Sequence, residues 1–172
     1  FVNLTGDHSV PNTGSYTWNV PGEVLSSYCK IKIKDFNNPN SNDTGAGYFD
    51  LRGQIIIGVP NGTESWQVGS LHNLTWTKKG SFPTVDISYS VNNGTNWTSL
   101  ATGVTSTDLI WEWNITTDTP TTTQGKIKIA DTSNPLIVYN ISNNTFEIKG
   151  SISLIAPNAT GIGLTYDNQS AY

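Results

Sequence analysis

Apolar and polar residues alternate with a period of two along much of the chain, as in strands that bury one face. In VDISYSV (residues 85–91) Val85, Ile87, Tyr89 and Val91 share a side, and in LIWEWNI (109–115) Leu109, Trp111, Trp113 and Ile115 do. In KIKIA (126–130) Ile127 and Ile129 point inward while Lys126 and Lys128 point outward. Gly, Pro and Asn clusters punctuate these runs: VNNGTNW is a tight-turn signal, and VPNG and APNA open two equivalent loops. TDTPTTTQG (117–125) reads as a mobile loop, and no segment carries a convincing helical period. About seven such strands in roughly 96 residues predict an all-β chain built as an antiparallel β-sandwich.

The pattern recurs. YCKIKIKD (28–35) matches QGKIKIAD (124–131) at an offset of 96, GYFDLRGQIIIGVPNGT (47–63) matches NTFEIKGSISLIAPNAT (144–160) at 97, and YTWNV (16–20) matches WEWNI (111–115) at 95. Three blocks in one order predict a tandem repeat of about 96 residues. Residues 54–149 then form one complete Ig-like unit, 1–53 the later half of a preceding unit, and 150–172 the first strand or strands of a following one. Joined tail to head, the two fragments make 76 residues, about one strand and its loop short of a unit.

The run PNGTESWQVGSLHNLTWTKKG, VDISYSVNNGTNW, WEWNI and GKIKIAD resembles tandem Ig-like repeats of bacterial and archaeal surface proteins. It is also similar to the Ig-like N-terminal domain of yeast cell-wall synthesis proteins. The resemblance covers 54–149 well and the flanks partly, and departs from the pattern in its truncated ends and its density of glycosylation motifs. It implies stalks, spacers and wall-associated structural units, and it brings no catalytic residues.

Composition narrows the class further. Charged residues are 13% of 172, whereas Asn, Thr and Ser number 19, 23 and 17, so amides and hydroxyls carry the polarity. A net charge of −4 and a single arginine, Arg52, leave no electrostatic footprint for nucleic acid. The longest apolar run, IIIGV at 55–59, is far short of the roughly 20 residues a membrane helix needs. With no Met, the chain reads as a processed product or a piece of something longer. A Phe start suits a type IV pilin, but FVNLTGDHSVPNTGS is polar where a long apolar helix would follow. Cys29 is alone, so no internal disulfide forms.

The motif Asn-x-Ser/Thr occurs at Asn3, Asn42, Asn61, Asn73, Asn93, Asn96, Asn114, Asn140, Asn143, Asn158 and Asn168. Eleven exceeds the roughly four that random placement of these residues gives, which marks N-glycosylation in a secreted chain. Asn73, Asn114 and Asn140 alternate away from apolar neighbours and are expected to face solvent. Glycans there would coat the sheets and oppose lateral aggregation.

Other chemistry has little anchor. There is no G-x-S-x-G, P-loop or H-E-x-x-H, and His8 and His72 lie 64 residues apart. In DFNNPNSND, Asp35, Asn37, Asn40 and Asp43 offer oxygens to Ca²⁺ without the spacing or acidity of an EF-hand, so a hydrophilic loop is preferred. No cofactor is expected beyond covalent glycans. Trp76, Trp111 and Trp113 share faces with aliphatic residues and read as core, whereas Trp66 and Trp97 sit in turn-rich sequence as candidate sugar-stacking platforms.

These readings favour an extracellular or cell-surface structural subunit with no enzymatic activity, partnered mainly by further copies of itself. It would be assembled head to tail by strand complementation through Ser151, Ile152, Ser153, Leu154, Ile155 and Ala156, or arranged as a tandem array. A carbohydrate-binding or adhesin module of a secreted surface protein, contacting cell-wall or environmental glycans, is the alternative. An accessory module of a secreted glycoside hydrolase is a third, though no convincing carboxylate pair can be assigned.

Overall fold

A computed structural model describes residues 9–20, 22 and 25–154. Among them the chain is all-β, with thirteen strands and no helix. Four short strands come first: β1 (Ser26–Cys29), β2 (Lys32–Lys34), β3 (Asn42–Thr44) and β4 (Phe49–Leu51). Nine follow, two more than the alternation predicts: β5 (Gln54–Val59), β6 (Ser65–Gln67), β7 (Leu71–Lys79), β8 (Thr84–Ser90), β9 (Thr98–Thr105), β10 (Ile110–Asn114), β11 (Thr122–Asp131), β12 (Tyr139–Ile141) and β13 (Phe146–Lys149). The additional ones are three-residue strands, β6 and β12, too short for a period to register.

Strands β5 to β13 form two sheets. One has the order β10-β7-β5; the other runs β6-β13-β11-β8-β9, with β12 also paired to β11. All pairings are antiparallel except β13 with β6. Ile55, Ile57, Leu74, Trp76 and Trp113 of the first sheet meet Val85, Ile87, Ile127, Ile129, Phe146 and Ile148 of the second in one buried cluster. Alternation explains this directly, since each strand turns every second residue into the cluster. Burying such side chains contributes about 1.5–3 kcal/mol each.

Two expectations need correction. Leu109 does not join Trp113 and Ile115 in the core: its backbone has φ 59°, which breaks the alternation before β10 begins, and it is partly exposed. The expected mobile loop at 117–125 is shorter, because β11 already starts at Thr122, whose hydroxyl donates to the Val91 carbonyl at 2.7 Å.

The early strands repeat the later geometry. Strand β1 pairs with β4 as Ser26↔Leu51 and Cys29↔Phe49, with an irregularity between; β11 pairs with β13 as Thr122↔Ile148 and Gly125↔Phe146, again with an irregularity. Strand β2 pairs with β3 as Lys32↔Thr44, Ile33↔Asp43 and Lys34↔Asn42, while β11 pairs with β12 as Lys128↔Ile141, Ile129↔Asn140 and Ala130↔Tyr139. All five pairs recur with a shift of 96 on one strand and 97 on its partner. The Gly45 N–H donates to the Ile31 carbonyl as Ser142 donates to Ile127, both at 2.9 Å. The Trp18 and Phe49 rings meet edge to face with centroids 6.3 Å apart, as do Trp113 and Phe146.

What differs is coverage. In β11, Lys126 and Ile127 pair with Ser90 and Tyr89 of β8; no described strand lies in that place beside residues 30–31, and there β1 and β2 are separate. Residues 16–20, which match β10 in sequence, form no strand: β10 is held by β7 alone, and the early residues have no such neighbour. Ile33 is therefore 73% exposed where its counterpart Ile129 is 0% exposed. The inward placement predicted for KIKI holds in residues 126–129 and is not reproduced in residues 30–33. Leu25 packs on the buried cluster, and Gly80 at the end of β7 approaches both Leu25 and Gly53 closely.

Candidate functional site

Eight of the eleven motif asparagines are described; Asn3, Asn158 and Asn168 lie outside the described residues. Asn73 and Asn114 are exposed on the outer face of the β10-β7-β5 sheet. Asn73 sits opposite Glu112 and Asn114 opposite Leu71, so the two amides are diagonal neighbours. Asn93 and Asn96 are exposed in the β8–β9 hairpin. There Asn93 has φ 55°, the Ser90 hydroxyl accepts the Gly94 N–H at 2.9 Å, and Asn92 Oδ1 accepts the Asn96 N–H at 2.9 Å. This local bonding is the turn chemistry that the run VNNGTNW signals.

Asn143 is exposed, and its N–H donates to Asn61 Oδ1 at 2.7 Å, which places these two motifs side by side. The Asn61 loop is locked by the Glu64 carboxylate, which accepts the N–H groups of Asn61 and Gly62 at 3.0 and 2.8 Å. Asn42 is exposed, with Nδ2 donating to the carbonyls of Pro39 and Asn40. Asn140 departs from its expected orientation. It is half-buried, and its Oδ1 accepts the Ile57 N–H at 3.2 Å, bridging β12 to β5.

The aromatic candidates are redistributed. Trp66 is only 6% exposed; it stacks on His72 with centroids 4.4 Å apart and touches Trp113 and Phe146, so it offers no open platform. A turn-rich sequence does not reveal that β6 hydrogen-bonds to β13 and carries Trp66 into the core. Trp97 is half-buried, against Gly94 of its own hairpin. Trp111, read from its alternation as core, is half-buried against the buried cluster and also lines an open groove of about 370 Å³ between β9 and β10. Tyr89, Glu112 and Thr98 line it too.

In the loop between β2 and β3, Asp35 Oδ1 accepts the N–H groups of Asn37 and Asn38 at 2.8 and 3.1 Å, and Asp43 Oδ1 accepts that of Thr44 at 2.8 Å. Asp131 repeats the arrangement, with Oδ1 accepting the Ser133 N–H at 3.0 Å. These carboxylates cap turns, and among the described residues no group of three His, Cys, Asp or Glu is placed to hold a metal ion. His72 Nε2 lies 2.8 Å from the Ser70 hydroxyl, and burial pushes its pKa below the ordinary histidine value. His8 lies outside the described residues.

Of the expected assembly segment, Ser151, Ile152, Ser153 and Leu154 are described, with no regular structure. Ile152 is 100% and Leu154 64% exposed; Ile155 and Ala156 lie outside the described residues. Among the described residues no helix is long and apolar enough to cross a membrane. Comparison with protein-family models, curated proteins and solved structures found no match.

Proposed function

We propose that the chain is a non-enzymatic structural subunit of an extracellular, heavily N-glycosylated filament or surface layer. Ig-like units built like 54–149 would be joined head to tail by strand complementation or as a tandem array. One observation carries this reading: strands β1 to β4 reproduce the pairings of β11 to β13 yet leave Ile33 in water where Ile129 is enclosed. A sheet with an open apolar side and free edges associates unless it is covered. Glycans on the exposed motif asparagines would keep such association from spreading sideways. The test is the intact mass of native protein before and after deglycosylation, run beside negative-stain microscopy. Fibres, a mass loss and a polypeptide core near 18.7 kDa support a non-covalent filament of this subunit. A much heavier core supports the covalent array, and monomers with no sugar overturn the reading.

The groove between β9 and β10 favours a second reading as a carbohydrate-binding module. Tyr89 and Trp111 supply aromatic walls, and Thr98 and Ser99 border the same concavity, a combination suited to stacking and orienting a pyranose ring. Titration with oligosaccharides while following Trp fluorescence tests it. Saturable quenching lost in Trp111→Ala supports this function, and no response in the parent protein removes it.

A further inference from the structure

We infer that Ile152 and Leu154 of one copy dock onto the exposed β2–β3 side of a second copy, in the places that Ile55 and Ile57 occupy over β11 and β12. This rests on the filament reading above and specifies its contact. In residues 54–149 the covering strand is β5: Ile55 and Ile57 are each 2% exposed within the cluster that holds Ile127 and Ile129. The Ile57 N–H is fixed to Asn140 of β12. Shifted by 97, β5 becomes residues 151–156, with Ile152 for Ile55 and Leu154 for Ile57. The acceptor follows by the same rule, since Ile129 corresponds to Ile33 and Asn140 to Asp43. Asp43 retains an acceptor oxygen at the place of Asn140, for the N–H of Leu154.

The occupant is a second copy because the chain cannot reach itself. The early strands join the body where Gln54 pairs with Lys79 and where Gly53 meets Gly80, at one end of β7. Lys149 lies at the other end, pairing with Gln67 and accepting the Val68 N–H, close to Leu71 at the start of β7. Nine residues of β7 span about 30 Å. The five residues from Lys149 to Leu154 extend at most about 18 Å. Head and tail therefore leave opposite ends, and the contact is heterologous and propagates from copy to copy.

Register gives the contact a signature. Ser153 corresponds to Ile56, which faces outward on β5, so a side chain there stays in solvent, whereas a one-residue slip would exchange it with its neighbours. The experiment uses three full-length variants, Ile33→Asp, Ile152→Asp and Ser153→Asp. Ile33 and Ile152 are exposed in the single chain, so both variants should fold; circular dichroism and thermal melting check this. Expected are wild-type fibres, fibres from Ser153→Asp, and monomers from Ile33→Asp and from Ile152→Asp. Mixed in equal amounts, the last two should give a discrete dimer of twice the monomer mass by light scattering, because one supplies an intact tail and the other an intact acceptor. Fibres from Ile33→Asp, or a mixture that stays monomeric, overturn the docking while the filament reading stands. Loss of fibres in Ser153→Asp alone overturns the register. Monomeric wild-type protein overturns both the docking and the filament.

Discussion

His72, stacked on Trp66 beside the core, ties stability to pH. Because burial lowers its folded pKa below the unfolded value near 6.5, unfolding takes up a proton between the two. Its contribution is thus fully present above the unfolded pKa and is lost as pH falls below it. Denaturation midpoints of wild type should fall more between pH 7.5 and 5 than those of His72→Gln. Gly62 supplies a second test: with φ 116°, any Cβ there would collide with the Asn144 side chain that fastens the two glycan-motif loops. Gly62→Ala should cost more than about 1 kcal/mol in urea denaturation. Glycopeptide mapping bears on Asn140. Because its amide already holds Ile57, occupancy there should be lower than at the exposed Asn73 and Asn114.

At the scale of elements, identical sequence has different fates, and the cause is the neighbour rather than the residue. KIKI lies within an unbroken β11 where β8 supplies hydrogen bonds at Lys126 and Ile127, yet the same four letters at 30–33 lie across a gap between β1 and β2. Period two alone predicts a buried face in both. Only the presence of β8 on one side and of β5 across the core converts that potential into burial. Substitution separates the two cases. Ile129→Ala should destabilise the protein by about 2–4 kcal/mol, since it empties a fully enclosed site. Ile33→Ala should fall within about 0.5 kcal/mol of wild type in the monomer, because solvent already surrounds that side chain. Equal losses at both positions would mean that the early strands are enclosed in solution. The same logic accounts for residues 151–154, whose sequence predicts a strand but which form none.

At the scale of the whole molecule, the density of glycosylation motifs and the apolar residues on its outside belong to one argument. The β10-β7-β5 sheet turns Ile56, Leu71 and Ile110 outward, each about half exposed, with Asn73 and Asn114 set among them. Left bare, that row would invite a second sheet to pack on it, and β10 has no strand on its far side in the same layer. The order of residues, beyond composition, shows the abundance of motifs; their placement beside exposed isoleucines required the pairing of β7 with β10, which no period reveals. Sugars on Asn73 and Asn114 would hold neighbouring molecules apart across this face while the ends stay open to one another. The double variant Asn73→Gln/Asn114→Gln removes both motifs and leaves the buried cluster untouched. Its stability, measured without glycans on either protein, should match wild type within about 0.5 kcal/mol. Produced in a glycosylating host, it should associate side by side, seen as bundles in negative stain and as scattering that rises with concentration. Unchanged dispersion would mean that these two sugars do not shield the face, and would leave the exposed isoleucines without an account.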